Sequence, residues 1–520
     1  MLYKWLKNMN NANNANRDLS WSLAMIIACM LLCNNGFAGS HKQQNWKDIA
    51  VNLHANHPIQ VTKKINTDAS GLKRLDIILS NNGAETTSID SIEIKIPIQV
   101  PINSDMKVSY GSSSMGARPV LVHKVGEPQK ASYSYMYAMI QQAHSQYVFA
   151  GALSWRIFIP IITLEKNVFI IRSKGEGKQL KPGQSIHYEQ IVLGLASNWP
   201  KVLDTYDNEG NVIVQTRRPE GPDKDRVYID YSHPGARAHM AKSIRVITKE
   251  FGIPYIKIDF ILLGLNSEIL KANPNFKSIK PFDPSITDVE RVRLGLQTIR
   301  QEAGPETYLL GCSAVFGPCF GFVDGMRTGG DINPRFEAFS ERVLANMGNY
   351  YLNGRVFNGD ADYLVFREEA DEDAGVSEEK TKRGGSMTFN EAQMWADFNK
   401  LYGSFRLSSD KLLTLRAERK ALIKEVFEFP EMDEMVPLDF WQHGKDKQDG
   451  YELILARHGK DIYLGIFNWS DVTKEYNLSA FECGTQKLNA RHSKILKYTG
   501  SRSFAKIRRA LAKDLNKRTH

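Results

Sequence analysis

The alternation of strand and helix patterns between residues 226 and 430 is the feature that most constrains the fold. Buried-strand patterns such as "YIKIDF" (255–260) and "TYLLGCS" (307–313) are separated by amphipathic helix patterns such as "DVERVRLGLQTIRQEAG" (288–304). Parallel strands need a long crossover connection, usually a helix, so the alternation predicts parallel β/α units. A spacing of about 30 residues per unit predicts part of a (β/α)8 barrel.

The remaining elements of this segment continue the alternation of strands and helices. Further strands are predicted over 226–232, 321–328 and 362–366, and further helices over 233–252, 335–351 and 388–403. Pro234 and Gly252 bracket one helix, and Thr388 with Glu391 forms a capping box at the start of another. Only five or six strands are predicted where a complete barrel has eight, so the barrel is expected to be incomplete.

The flanking segments are rich in strands. "IDSIEIKIPI" (89–98) alternates with period two, and "NVFIIRS" (167–173) and "SIHYEQIVLG" (185–194) are also β-rich, which predicts an antiparallel β-sandwich. Strand patterns return in "GYELILARHG" (450–459) and "DIYLGIFNWS" (461–470), which predict a small C-terminal antiparallel β domain.

The predicted fold class is therefore multidomain α/β plus β. Its boundaries are a signal peptide over 1–38, an N-terminal β-sandwich over 39–207, an incomplete (β/α)8-type barrel over 208–432, a C-terminal β domain over 433–500 and a basic tail over 501–520.

The N-terminus has the pattern of a secretory signal. Basic residues precede the apolar run "WSLAMIIACMLLC" (21–33), and small residues at Gly36 and Ala38 suggest cleavage after Ala38. The expected location is periplasmic or extracellular. A lipoprotein anchored through Cys29 is the alternative, although that cysteine lies inside the apolar run. No stable membrane span is expected, since the run is short and no later segment is long and apolar enough.

Charge and cysteine usage exclude some partners. The net charge is +9, but residues 502–520 carry seven Lys or Arg against one Asp, so the excess belongs largely to the end of the chain and does not indicate nucleic-acid binding. A solvated terminal helix or frayed end is expected there. Cys312 and Cys319 are predicted to be buried thiols, and neither they nor the histidines have a metal-ligand spacing, so no metal or cofactor is expected.

Two aspartates follow predicted strands. Asp259 ends "YIKIDF" and Asp331 lies just beyond "FVDGMRT", and the carboxyl ends of barrel strands carry the active site. Two facing carboxylates are what glycoside hydrolysis needs, one as nucleophile and one as acid/base. Lys257 lies on the same strand face as Asp259, and Arg327 lies close to Asp331. An acid at a strand end also serves as a helix cap or turn residue, so this pattern alone leaves both interpretations open.

The order of these segments resembles the melibiase clan, specifically the α-galactosidase-like members of glycoside hydrolase family 36. That family has a K-x-D nucleophile strand, a Cys-containing strand, an R-x-x-x-D acid/base segment and a D-P-D segment. The matching stretches here are Lys257-Ile258-Asp259, Gly311-Cys312, Arg327 to Asp331 and Asp360-Ala361-Asp362. The resemblance covers roughly 165–435, and the order of sandwich, barrel and β domain is also similar.

The resemblance implies a role for each matching residue. Asp259 would be the nucleophile and Asp331 the general acid/base, with Lys257 and Arg327 contacting sugar hydroxyls. Cys312 and Ser313 would bind the substrate. Ser313 and Ala314, which follow Cys312, would lie near the 2-substituent of the sugar, and small residues there would also admit an N-acetyl group, which keeps an α-N-acetylgalactosaminide open. Asp360 and Asp362 are either a wall of the site or a structural turn, because Ala361 replaces the family's proline.

The chain also departs from the family pattern. "NWPKVLDTYDN" (198–208) runs almost directly into "RVYIDYSHPGA", without a G-W-x-S-W strand or the strand that ends in an acidic pair. The resemblance implies a retaining α-glycosidase that acts on an oligosaccharide or glycoside, and the N-terminal signal pattern adds export. The alternatives are a non-catalytic or vestigial carbohydrate-binding protein and an exported scaffold held to a surface by the basic tail. The sequence indicates neither the linkage nor the oligomeric state.

The signal interpretation has a direct test. In a secreting bacterial host, the exported protein is expected to begin at Gly39, since small residues at 36 and 38 suit signal peptidase. Sequencing of the N-terminus and intact mass of the exported protein would measure this. Retention of residues 1–38 would contradict the prediction, and a lipid-modified Cys29 would favour the lipoprotein alternative.

Overall fold

The structure is a computed structural model. It describes residues 46–67, 72–99, 102–111, 120, 122–126, 133–143, 146–196, 217–219, 229–261, 265, 276–278, 281–367, 387–403, 405–443 and 449–516. The predicted signal peptide, the segment 198–208 and the first residues of the strand predicted over 226–232 lie outside the described residues.

The N-terminal part is the predicted antiparallel sandwich. Its strands are β1 Ala50–Ala55, β2 Gln60–Thr67, β3 Lys73–Ser80, β4 Thr87–Pro97, β5 Lys107–Gly111, β6 Val122–Lys124, β7 Tyr133–Ser134, β8 Tyr137–Ala143, β9 Gln146–Ala152, β10 Ile161–Glu165, β11 Val168–Leu180, β12 Ser185–His187 and β13 Ile191–Ala196. One sheet has the order β1-β4-β11-β10-β7; the other has β12-β3-β13-β9-β8-β5-β6, with β2 paired to β3. Ile92, Ile94 and Ile96 of β4 are fully buried, as the period-two pattern predicts.

The central part contains the predicted β/α units. Its strands are β14 Arg217–Pro219, β15 Tyr255–Ile258, β16 Phe276–Ser278, β17 Tyr308–Gly311, β18 Gly325–Arg327 and β19 Asn358–Asp360. Its α-helices are α1 Pro234–Arg245, α2 Asp288–Ala303, α3 Phe336–Gly348, α4 Phe389–Tyr402 and α5 Ala417–Glu428, and a π-helical turn, Val246–Glu250, continues α1. The helix boundaries follow local signals: the capping box of Thr388 and Glu391 is formed, and His233 caps α1 by accepting a hydrogen bond from the Gly235 N–H.

A parallel sheet organises this part. Its order is β15-β17-β18-β19, and parallel bridges from Asp360 to Phe405 and from Leu364 to Ser408 extend its far edge. Strands β14 and β16 form a separate antiparallel pair. Parallel β/α units are therefore confirmed, whereas no closed barrel is seen in the described parts of the chain.

Three strand predictions are corrected. Residues 229–233 contain a turn at 231–232 and no strand, and the strand predicted over 321–328 is limited to 325–327 because 320–322 form a turn. The strand predicted over 362–366 is wrong: β19 precedes it, and the positive φ of Asp362 (78°) interrupts the extended backbone.

The C-terminal part is the predicted antiparallel β domain. Its elements are β20 Glu434–Pro437, β21 Leu453–His458, β22 Asp461–Asn468, β23 Lys474–Asn477, β24 Thr485–Leu488, β25 His492–Tyr498 and α6 Phe504–Asn516. The main sheet has the order β20-β21-β22-β25, and β23 pairs with β24. The basic tail is not frayed over α6, because Phe504, Ile507, Leu511 and Leu515 are buried.

The state of two cysteines and the length of the helices were also predicted from the sequence. Cys312 and Cys319 are buried free thiols, as predicted. Within the described ranges, no helix is long and apolar enough to cross a membrane.

A buried carboxylate organises the C-terminal part. Asp439 is 2% exposed; it binds His443 Nε2 at 2.8 Å and accepts hydrogen bonds from the N–H groups of Glu452 and Leu453. Its carboxylate therefore ties the 3-10 turn Phe440–Gln442 to the start of β21.

Removing this carboxylate is expected to destabilise the protein. Asp439→Ala leaves a buried imidazole and two backbone donors without their acceptor, at a cost of about 3 kcal/mol. Chemical denaturation would measure the change in the free energy of unfolding. Asp449→Ala, at an exposed aspartate of the same domain, is the control and should change it by less than about 0.5 kcal/mol. Equal effects of the two changes would contradict the role of Asp439.

Candidate active site

The carboxyl edge of the parallel sheet brings the predicted site residues together. Asp259 follows β15, Cys312 follows β17, Arg327 ends β18 and Asp360 ends β19. The register pairs Ile258 with Gly311, Gly311 with Met326, and Arg327 with Asp360, so these strand ends are aligned. Ligands of open parallel sheets bind at this edge. The edge is therefore the candidate active site.

Asp259 is held as a carboxylate. The Phe260 N–H donates to its Oδ1 at 2.7 Å. Burial raises the pKa of Asp259, but hydrogen bonds from Ser313, the Phe260 N–H and Cys312, with the charge of Lys257, lower this pKa below its ordinary value. An ionised carboxylate at a strand end has the form that a nucleophile requires.

The backbone is strained at both sides of Asp259. Phe260 (φ 56°) and Ser313 (φ 47°) adopt left-handed conformations that are uncommon for residues other than glycine. Such residues concentrate at functional sites, where the surrounding structure enforces them. Here they turn the chain sharply at the ends of β15 and β17, beside the Asp259 carboxylate.

Lys257 reaches the same edge from within β15. Its Nζ lies 5.7 Å from the centre of the Tyr363 ring, a cation–π distance. Its charge lowers the pKa of Asp259, Cys312, Asp360 and Asp362. The ammonium group therefore contributes positive charge to the whole cluster of carboxyl groups.

Cys312 contributes a neutral thiol. Its side chain is buried, and burial raises its pKa to about 11, although Lys257 and Arg327 act in the opposite direction. The thiol is thus protonated at neutral pH and can donate a weak hydrogen bond to Asp259.

Arg327 is the central cation of the edge. Its side chain is 3% exposed; its Nη2 forms an ion pair with Asp362 and lies 3.0 Å from Asp331 Oδ1. The two carboxylates differ in environment, since the side chain of Asp362 is 6% exposed and that of Asp331 is 94% exposed. Arg327 therefore links a buried acid to the exposed acid that the sequence predicts as acid/base.

Asp360 and Asp362 serve structural contacts. Asp362 accepts from the Ile332 N–H at 2.7 Å, and Asp360 Oδ1 accepts from the Asp362 N–H at 2.8 Å. Burial raises the pKa of both carboxyl groups, and Arg327 opposes this. These contacts place both residues in a hydrogen-bonded turn, and their assignment as a wall of the site or as a structural turn stays a prediction.

An aromatic stack lies below the carboxyl edge. The rings of Tyr255, Tyr308 and Phe405 stack on one another, with centroids 5.1–6.1 Å apart. Tyr255 lies two residues before Lys257 and therefore points to the same face of the sheet. Tyr255 and Tyr308 begin β15 and β17, so the stack lies toward the opposite ends of these strands from Asp259 and Cys312.

Some site residues were not predicted from the sequence. The alternation Tyr255, Lys257, Asp259 would have placed one tyrosine in the site. Tyr363 carried no comparable signal, because its position follows the backbone reversal at Asp362.

The described residues do not form a metal site. No group of three or more His, Cys, Asp or Glu side chains there is arranged to hold a metal ion. The edge instead combines carboxylates with two cations and hydroxyl groups, which suits acid/base and nucleophilic chemistry on a polar substrate.

The fold of the chain has counterparts among solved structures. No protein-family model matches the chain. Among solved structures, it is similar to a family 36 α-galactosidase from Geobacillus stearothermophilus, in a variant bound to stachyose, with a TM-score of 0.52 and 10% identity over 89% of this chain and 88% of that one. A second structure of that enzyme gives a TM-score of 0.50 at the same identity and coverage. The chain is thus similar in fold to a family 36 α-galactosidase, which confirms the resemblance at the level of fold.

The ion pair of Arg327 with Asp362 is expected to contribute more to the free energy of unfolding than the pair of Arg327 with Asp331. Asp362→Ala removes the buried partner of a buried guanidinium and should cost about 3 kcal/mol of unfolding free energy. Asp331→Ala removes an exposed partner and should cost less than about 1 kcal/mol. Urea denaturation of both variants would measure the difference. Similar losses for the two variants would show that the buried pair does not support the edge.

Proposed function

We propose that the protein is an exported retaining α-glycosidase, α-galactosidase-like, that hydrolyses terminal α-galactosyl residues. The observation that carries the proposal is the carboxyl edge itself. An ionised Asp259 stands beside Lys257 at the same edge as the Arg327–Asp331 pair. The fold similarity supports a glycosidase, while the sugar and the mechanism belong to the proposal.

In the first step, Asp259 attacks the anomeric carbon as the bond to the leaving oxygen breaks. Asp331 donates its proton to that oxygen, so the aglycone leaves as a neutral alcohol. The product on the protein is a covalent ester between the sugar and Asp259, and Asp331 is now a carboxylate.

In the second step, Asp331 takes a proton from water, which attacks the anomeric carbon. The bond to Asp259 breaks, and both carboxyl groups return to their starting forms. Because each step inverts the anomeric centre, the sugar is released with its original configuration. The retaining mechanism also predicts a distance of about 5–5.5 Å between the two carboxyl groups.

The other residues of the edge orient the substrate and hold the charges. Lys257 and Ser313 lie next to Asp259 and would donate hydrogen bonds to sugar hydroxyl groups. Arg327 Nη2 orients Asp331 through a contact of 3.0 Å with its Oδ1, and the buried ion pair with Asp362 fixes the position of Arg327. Ser313 is small enough to leave room for an N-acetyl group, so an α-N-acetylgalactosaminide is the variant substrate to test.

A non-catalytic sugar-binding protein is the second candidate. It is favoured by the open sheet, since no closed barrel is seen in the described residues, and by the 94% exposure of Asp331. An acid/base group usually works in a site from which water is excluded. For both candidates the N-terminal signal pattern supports export to the periplasm or the exterior.

Replacement of the nucleophile tests the catalytic proposal. The wild-type chain should hydrolyse an aryl α-galactoside or α-N-acetylgalactosaminide in preference to the α-glucoside. Asp259→Asn should lose roughly 10³-fold or more in kcat, equivalent to about 4 kcal/mol of barrier. Asp105→Asn, at an exposed carboxylate of the sandwich, is the matched control and should be unaffected.

Proton NMR of the product separates the mechanisms. The α-anomer should appear first if the enzyme retains configuration, and a first-formed β-anomer would overturn the covalent intermediate. No turnover from folded, monodisperse wild-type protein would refute the enzyme and favour the non-catalytic candidate.

A further inference from the structure

A cleft of about 510 Å³ lies on the sandwich, and its lining residues come from the β1–β2 and β3–β4 segments rather than from the parallel sheet. One wall is the turn between β1 and β2, with Pro58 and Ile59, and the other is the loop between β3 and β4, with Asn82 and Ala84. The volume is within the range of small-molecule sites.

Hydrogen bonds of two asparagines fix the walls of the cleft. Asn81 is fully buried; its Nδ2 donates to the carbonyl oxygens of Glu85 and Leu180, both at 2.7 Å, and its Oδ1 accepts from the Gly83 N–H at 3.0 Å. Asn56 Oδ1 accepts from the Ser88 N–H at 2.6 Å and joins the two walls. The cleft is therefore preorganised, which lowers the entropic cost of binding.

Two pairs of polar side chains cross the cleft. His57 Nε2 lies 3.3 Å from Glu85 Oε2, and Asn82 Nδ2 donates to Gln60 Oε1. Within the described part of the chain, the Gln60 amide N–H groups, the Asn82 amide oxygen and the second Glu85 oxygen have no partner. The cleft thus offers donors and acceptors side by side.

The lining also excludes other ligand classes. No Lys or Arg is among the described residues that line the cleft, so an anion would find no cation to pair with. The described residues hold no group of acids and histidines that could bind a metal here. Pro58, Ile59 and Ala84 add an apolar surface to the polar rim.

We propose that this cleft binds a neutral sugar, independently of the carboxyl edge. Adjacent amide and carboxylate groups match the alternating hydroxyl groups of a sugar, and the apolar wall matches the C–H face of its ring. The cleft is a non-catalytic site on the sandwich. A chain with two sugar sites holds an oligosaccharide or polysaccharide by avidity, because binding at one site raises the local concentration at the other.

The experiment uses the full chain with Asp259→Asn, so that the probe is not consumed, and stachyose as the probe. The methyl NMR signal of Ile59, assigned with Ile59→Val, reports on the cleft. It should shift in a saturable manner as stachyose is added. Gln60→Ala with Asn82→Ala should weaken this binding at least about tenfold. Asn52→Ala with Gln179→Ala, at exposed amides elsewhere on the sandwich, should leave the affinity unchanged.

Each result decides the proposal. An Ile59 signal that does not move, or moves equally in the cleft double variant, overturns it. If the double variant proves unfolded by its methyl spectrum, Glu85→Gln, which keeps the shape of the side chain, takes its place with the same expected loss. Hydrolysis of an aryl α-galactoside by the Gln60→Ala, Asn82→Ala chain with Asp259 intact should equal that of the wild type. Failure of the proposed enzyme would leave the Ile59 response in place, so the two proposals fail separately.

Discussion

The buried ion pair between Arg327 and Asp362 supports the rest of the candidate site. Arg327 ends β18, and Asp362 lies two residues past the end of β19, so the pair clamps two neighbouring strands at their carboxyl edge. Asp362 also binds the backbone at Ile332, which fixes the segment that carries Asp331. A guanidinium that is almost completely buried needs such a partner, because an unpaired charge in the interior is costly. The conformation of the segment that carries Asp331 therefore depends on the buried carboxyl group of Asp362.

The sandwich, sheet and C-terminal domain are joined by extensive packing. One continuous hydrophobic core includes Phe149 of the sandwich, Trp395 of α4 and Leu464 of β22. The rings of Tyr147 and Trp441 stack with centroids 5.3 Å apart, and Lys107 Nζ donates to the Trp441 carbonyl oxygen at 2.7 Å. A shared core of this kind supports the parallel sheet from the parts of the chain on both sides of it.

The sequence predicted best what depends on local physics. The capping box at Thr388 and the alternation of β4 are set by neighbours along the chain, and the structure confirms both. The strand predicted over 362–366 failed because Asp362 takes its backbone conformation from contacts with Arg327 and Ile332, some 30 residues earlier. The rule that parallel strands carry their ligands at the carboxyl edge selected Asp259 and Asp331, but it could not show that Asp362 is the acid buried by an ion pair with Arg327. The cleft went unpredicted, because its two walls come from separate loops without a motif.

The aromatic stack of Tyr255, Tyr308 and Phe405 gives the parallel sheet a packed apolar layer near the start of its strands. Tyr255 and Tyr308 begin β15 and β17, so the packed rings and the charged side chains occupy opposite ends of the same two strands. Substitutions at the carboxyl edge can therefore change the chemistry of the edge while the rings keep the strands in register.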